Sequence, residues 1–375
     1  MHSSNTNLIM GKKTFSLAIM LAATSALVAT GQTSYEASQK LRGATSECSY
    51  WERAVVHIEC TTSPKDPRFL ADATGSILLD ADGKVLVVEE PVRSWRYQGT
   101  AIFVRHGDRR FLVTARHVLL DTLTGRKDSA FAVGLAKIFE PRTEEESDRY
   151  ERSYIDSIKY QKHQEIAEAI FPYIFRVPHL DETRRFDPYL VDLRGGPHGL
   201  TSYTFSKPDT DLAVISLDLR YKVFADQLEA LGYKPISSRL FADGPTKDGL
   251  EVLSVGYPYA ISTYKRLFIT SEDSTLHSPN LSHPACVFGR IALSSDKLRY
   301  FFCDMRTYSG SSGSPVIVNG KIIGIVVATP AVNRERVLFA KTIKAKFVNH
   351  LLEEQTLKDI AAEKESRKAQ SRKTQ

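Results

Sequence analysis

Apolar residues gather along this chain in short, β-branched runs that break off at clusters of glycine, aspartate, asparagine and serine, the pattern of strands joined by turns. Gly75 to Leu79 and Lys84 to Glu89, on either side of Asp80-Ala81-Asp82-Gly83, read as one hairpin. Gly99 to Arg105 and Arg110 to Thr114 read as a second, turning at His106-Gly107-Asp108. Between about residues 129 and 201 the pattern changes. Tyr150, Tyr154, Ile158, Ile166 and Ile170 recur at helical intervals, whereas Pro172, Pro178, Pro188 and Pro197 interrupt the stretch beyond Ile170, so a mainly helical insertion with a looped second half is expected. Strand signals return at Leu212 to Leu217, Leu250 to Gly256, Arg266 to Thr270, Val287 to Leu293, Tyr300 to Asp304, Val316 to Val318 and Ile322 to Ala328. Short strands in this number predict an all-β barrel or sandwich rather than a parallel sheet. Near the end, Ala345 to Ile360 has helical spacing, with Phe347, Leu351 and Leu352 on one side, and the charged remainder is expected to be a solvated tail.

The first residues depart from this pattern. Lys12 and Lys13 precede an apolar run from Phe15 to Ala29, and Ala29 and Gly31 are small residues at the spacing of a signal-peptidase site. Residues 1–31 are therefore expected to be a signal peptide, and the protein to be secreted or periplasmic. The run is shorter than the ~20 residues that cross a bilayer, so no stable membrane insertion is expected after cleavage. Gln32 to about Glu47 is polar. The net charge of +6, two units of which sit on Lys12 and Lys13, is too small to imply nucleic acid. Four cysteines in an exported chain suit two disulfides, and of the three possible pairings the local ones, Cys48–Cys60 and Cys286–Cys303, are expected. The cysteines and histidines are too scattered for a metal site, and no metal or organic cofactor is implied.

Three segments carry side chains suited to chemistry. In Thr114-Ala115-Arg116-His117-Val118 an imidazole stands at the end of a hydrophobic strand. In Asp209-Thr210-Asp211-Leu212-Ala213-Val214-Ile215 a carboxylate opens another. The third, Gly310-Ser311-Ser312-Gly313-Ser314-Pro315, leads into Val316 to Val318, the turn Asn319-Gly320 and Lys321 to Val327. Singly these describe a core or surface histidine, a strand-start turn and a loop. Their combination and order are informative because a serine hydroxyl becomes nucleophilic only when an imidazole accepts its proton, and a carboxylate must hold that imidazole in the correct tautomer.

Taken together, GTAIFV…FLVTARHV, DLAV and G-x-S-G-x-P with its adjoining hairpin resemble the trypsin-like (chymotrypsin-fold) serine peptidases. The resemblance covers roughly Gly99 to Phe347, interrupted by the insertion. It implies an all-β fold of two packed six-stranded β-barrels with the site between them, the helical insertion lying between the catalytic His and Asp. Residues 32–98 would then be an N-terminal extension with a β-hairpin, 99–235 the first barrel with the insertion, 236–347 the second barrel, and 348–375 a C-terminal helix and tail. His117 is expected as base, Asp211 as its orienting carboxylate and Ser312 as nucleophile, with the backbone N–H groups of Gly310 and Ser312 as the oxyanion hole. Arg306, Val327, Ala328 and Thr329 are expected to line the pocket for the side chain before the scissile bond, where Arg306 either favours acidic side chains or faces solvent. The implied partner is a protein or peptide substrate. Ser311 stands where digestive enzymes have an acidic residue and Val118 where they often have cysteine, which places the chain nearer the bacterial branch. Too few residues come after Ser312 for a PDZ domain.

Two other readings compete. A protease fold that has lost catalysis would serve as a binding or scaffold protein, since fold does not establish function. Arg105-His106-Gly107-Asp108-Arg109 resembles the phosphohistidine motif of histidine phosphatases, but no His-Asp dipeptide occurs later in the chain and a hairpin tip explains the segment. P-loop, H-E-x-x-H and dinucleotide-binding patterns are absent from the sequence.

Overall fold

The computed structural model describes residues 46–61, 68–69, 87–88, 96–120, 170–171, 173–182, 190–193, 201–245, 247–265, 278, 280–332, 335–336 and 339–373. The expected signal peptide, the first strand of the 75–89 hairpin, the helical stretch before Ile170 and the strand at 266–270 lie outside the described residues. The chain divides into two units, residues 1–51 and 52–375. The described part of the first, 46–51, is helical, with the Tyr50 and Trp51 rings edge to face.

The second unit is built on two sheets. β1 (Val55–Thr61) is followed by a short pair, β2 (Arg68–Phe69) and β3 (Val87–Val88), and then by the long hairpin β4 (Arg96–His106) and β5 (Arg109–Ala115). β6 (Tyr173–Arg176), β7 (Leu190–Asp192), β8 (Tyr203–Phe205), β9 (Leu212–Ser216) and β10 (Ile236–Ser237) complete the first sheet. Its order is β7-β6-β1-β4-β5-β9-β8, with β10 joining β4, so among the described residues it is an eight-stranded half-barrel. The hairpin turns at Gly107-Asp108 as expected. The second half of the insertion differs from expectation: it supplies β6 and β7, which extend the sheet from β1. Pro178 lies beyond the end of β6, where its missing N–H costs the ladder nothing.

The second sheet closes. It uses β11 (Glu251–Gly256), β14 (Ala285–Leu293), β15 (Tyr300–Asp304), β16 (Pro315–Val318), β17 (Lys321–Ala328) and β20 (Phe339–Lys344) in the order β11-β14-β15-β20-β17-β16. The hairpins β12 (Thr263–Lys265) with β13 (Asn280–Ser282), and β18 (Ala331–Val332) with β19 (Glu335–Arg336), stand outside it. Val252, Ile291, Phe301, Cys303, Val316 and Val326 meet in its core. Each larger side chain buried there contributes ~1.5–3 kcal/mol relative to water. Between β16 and β17, Asn319 and Gly320 both have positive φ, 50° and 71°, which is the geometry of a two-residue type I′ turn.

The C-terminal helix Lys346–Lys373 continues from β20 of the second barrel but packs on β9, β8 and β5 of the first sheet. It runs past Ile360 through the segment expected to be a solvated tail, because 346–373 contains neither glycine nor proline and Lys358–Glu354 and Lys368–Glu365 pair along its surface. Among the described residues no helix is long and apolar enough to cross a membrane.

The expected local disulfides do not form. β14 and β15 pair with Ile291 opposite Cys303, so Cys286 stands five residues away along its strand, roughly 17 Å, where a bridge needs Cα atoms within ~7 Å. Cys60, in the middle of the first sheet, and Cys303 are free, buried thiols. Burial pushes both above the ordinary thiol range, Cys303 up to about 12.

Candidate active site

His117 is carried by a short 3-10 turn, Arg116–Leu119, that continues directly from β5. β5 pairs with β9 so that Ala115 stands opposite Leu212, which brings Asp211, the residue before β9, alongside His117. Asp211 has φ +50°, a left-handed conformation in which aspartate is among the tolerated residues. The turn that precedes it fixes this conformation: the N–H groups of Thr210 and Asp211 both donate to the Lys207 carbonyl, and Arg116 N–H donates to the Asp211 carbonyl.

The nucleophile segment lies in the second barrel, between β15 and β16. Ser311 N–H donates to Tyr308 O at 3.0 Å and Tyr308 N–H donates to Ser311 Oγ at 3.2 Å, closing a tight turn before Ser312. Gly310 and Gly313 have φ of +92° and +93°. A Cβ on Gly310 would fall 2.3 Å from the Tyr257 carbonyl, and one on Gly313 only 1.8 Å from the Thr100 carbonyl, so glycine is required at both.

These elements bring the three expected side chains together. His117 Nδ1 lies 2.7 Å from Asp211 Oδ2, and His117 Nε2 lies 2.9 Å from Ser312 Oγ. The other oxygen of Asp211 accepts the His117 backbone N–H at 2.9 Å, so both carboxylate oxygens engage the same residue. The imidazole and carboxylate are 29% and 24% exposed, so both are partly open to solvent. Tyr97 of β4 stands edge-on to the His117 ring, with centroids 6.2 Å apart. Burial, together with the Asp211 carboxylate, holds its phenol above the ordinary range. The N–H groups of Gly310 and Ser312 donate to no group among the described residues.

Of the residues expected around the substrate side chain, Arg306 is exposed and makes no ion pair among the described residues. Val327 is buried, Ala328 exposed and Thr329 half-buried. The segments that carry them touch through Thr307 and Thr329, whose hydroxyls are 2.7 Å apart. Arg306 also lines, with Ser311, Ser314, Met305 and Val287, a small crevice beside the nucleophile loop.

The arginines around His106 are engaged elsewhere. Arg105 pairs with Glu229, Arg109 with Glu363 and Arg110 with Asp218, while His106 Nδ1 is 2.9 Å from Ser238 Oγ. These cations face carboxylates rather than converging on an open anion site, so the segment acts as a hairpin tip.

Sequence reasoning missed Thr100, which contacts the nucleophile loop directly. It stands within the GTAIFV run, and its alternation alone gives no sign of a partner in another sheet.

Residues 99–325 match the model of the trypsin-like peptidase domain. The chain belongs to this family, whose double-barrel fold it shares. Among solved structures it is similar to an HtrA-type protease, AlgW, bound to a decapeptide, at 14% identity over 83% of this chain and 66% of that one, with a TM-score of 0.39. It is also similar to an inactive form of Rv3671c from M. tuberculosis H37Rv, at 14% identity over 83% of this chain and 90% of that one, with a TM-score of 0.34. No curated protein sequence matches it.

Proposed function

We propose that this protein is an exported serine endopeptidase that cleaves peptide bonds through an acyl-enzyme, with Ser312 as nucleophile, His117 as general base and acid, and Asp211 as its orienting carboxylate. The observation that carries the reading is the continuous hydrogen-bonded line from Asp211 Oδ2 through both ring nitrogens of His117 to Ser312 Oγ. With Nδ1–H donated to Asp211, Nε2 is left as the acceptor facing the serine hydroxyl. Ser312 Oγ then attacks the substrate carbonyl as its proton passes to Nε2, and the charged imidazolium is stabilised by the carboxylate. The same proton is delivered to the leaving amine as the C–N bond breaks, leaving the acyl group on Ser312. A water molecule repeats the sequence to release the acid and restore the serine.

The negative oxygen that forms at each tetrahedral stage needs donors held in place beforehand. The N–H groups of Gly310 and Ser312 are the candidates, and a single donor of this kind is worth about 2.7–4 kcal/mol of transition-state stabilisation. Membership of a peptidase family makes proteins or peptides the substrate class. The leader read in residues 1–31 makes the periplasm or the extracellular space the place of action.

Ser312→Ala tests the reading. Turnover of an unfolded protein substrate is expected to fall on the order of 10⁶-fold while the urea midpoint stays unchanged. Cleavage near the wild-type rate in that variant would remove Ser312 from the mechanism.

A further inference from the structure

Thr100 stands in β4 of the first sheet, and its groups are turned toward the second barrel. Its side chain is completely buried and fully used. The hydroxyl donates to the Gly310 carbonyl at 2.9 Å and accepts the Tyr257 N–H at 3.0 Å. Its backbone N–H donates to the Ser312 carbonyl at 2.9 Å, and its own carbonyl accepts from Thr114 Oγ1 at 2.7 Å. One residue therefore binds the carbonyls of both Gly310 and Ser312, the two residues whose N–H groups face the developing oxyanion in the proposed mechanism. Through Thr114 it is also tied to β5, the strand that leads into the turn carrying His117.

Three glycines make room for this contact. A Cβ on Gly313 would fall 2.5 Å from Thr114 Oγ1 as well as 1.8 Å from the Thr100 carbonyl. One on Gly256 would lie 2.9 Å from Thr100 Oγ1, and one on Gly99 3.3 Å from the Ser312 carbonyl. The backbones of the two sheets approach more closely than side chains allow, and Thr100 fills the junction. A hydroxyl is required rather than a methyl, since one group must act as donor and acceptor at once. A valine of the same shape would leave the Tyr257 N–H and the Gly310 carbonyl buried without these partners.

We propose that Thr100 is a positioning residue for the oxyanion hole: its hydroxyl clamps the peptide after Gly310 against Tyr257, and so fixes the direction of the N–H groups that receive the negative oxygen. This rests on the serine-endopeptidase reading, since it assigns a role within that reaction. The clamp holds the loop in the free enzyme, so it acts on transition-state stabilisation rather than on substrate affinity.

The experiment compares Thr100→Val with Thr100→Ser in the full-length protein. Thr100→Val is expected to lower kcat about 10- to 100-fold, the scale of a misplacement near 1 Å, with KM within about twofold of wild type. Thr100→Ser, which keeps the hydroxyl, is expected to restore kcat. Amide hydrogen exchange gives a readout independent of turnover: Tyr257 and the segment 308–314 lose protection in the valine variant and keep it in the serine variant. Should the valine variant fail to fold, Thr100→Cys, whose thiol is a weak donor, is expected to fall between Ser and wild type on one side and complete loss on the other. Equal kcat and equal protection in Thr100→Val, or a Thr100→Ser as impaired as Thr100→Val, overturns the proposal. If wild-type protein turns over no peptide at all, the endopeptidase reading fails, while the exchange comparison still decides whether Thr100 holds the loop.

Discussion

In the proposed mechanism the imidazole accepts a proton at Nε2 and must be held with its other nitrogen protonated; one Asp211 oxygen lies 2.7 Å from that nitrogen and the other accepts the His117 backbone N–H. Such a carboxylate, histidine and serine were legible in the sequence because the short segments that carry them are distinctive in combination. His57 was not legible as a core residue. It lies completely buried in β1, its ring stacked on Tyr257 with centroids 4.6 Å apart. Desolvation by burial lowers its pKa to about 3, the Gln98 side chain works against that shift, and the nearby His179 adds to it. His179 is itself lowered, chiefly by burial. For His57 the unfolded chain therefore binds more protons than the folded one as pH falls from about 6.5 toward 3, so stability is lost across that window, at up to about 1.4 kcal/mol per pH unit, and His179 adds to the loss in the same direction. Asp359 contributes the opposite slope, because burial holds its carboxyl above the ordinary range. Urea midpoints measured between pH 4 and 7 are expected to fall more shallowly for His57→Phe, which keeps the stacking, than for wild type; parallel curves would show that His57 titrates unperturbed.

Among the elements, strands with regular alternation or unbroken β-branched runs could be read, and β4, β5, β9 and β15 to β17 stand where their patterns put them. β1 escaped because His57, Glu59 and Thr61 occupy fully or nearly buried positions in a strand inside on every residue. The Glu59 carboxylate is tolerable there because Gln98 Nε2, Ser278 Oγ and Asn280 Nδ2 all donate to one of its oxygens, at 2.9–3.0 Å, and such partners are invisible until the fold assembles them. The C-terminal helix poses the same problem. Its inward face carries Gln355 and Asp359, whose partners lie on β8 and β9: Thr204 Oγ1 donates to Gln355 Oε1 at 2.7 Å and Ser216 Oγ to Asp359 Oδ2 at 2.5 Å. Asp359→Ala is expected to cost ~1–3 kcal/mol, since Ser216 is left buried without its acceptor while Gln355 keeps only the Thr201 carbonyl, and adding Ser216→Ala should recover part of that loss. Additive losses in urea titrations of the single and double variants would mean the pair is uncoupled.

At the scale of the molecule, His117 is drawn to Asp211 over 94 residues and to Ser312 over 195, and neither sheet holds the whole set. The C-terminal helix, rising from the second barrel and packed on the first, is one strap between them, and Thr100 at the nucleophile loop is another. Neither strap was legible in the sequence, because which polar groups meet across two sheets depends on the relative placement of the sheets, and no local pattern encodes it. The central claim is that this placement turns Ser312 into a nucleophile. Incubation of the folded, full-length protein with a serine-directed fluorophosphonate, with mass spectrometry of the resulting peptides, tests it most directly. One adduct is expected, on Ser312, absent from His117→Ala and from protein unfolded in urea. Folded wild-type protein that acquires no adduct at Ser312, or is labelled there equally well without His117, would contradict the account.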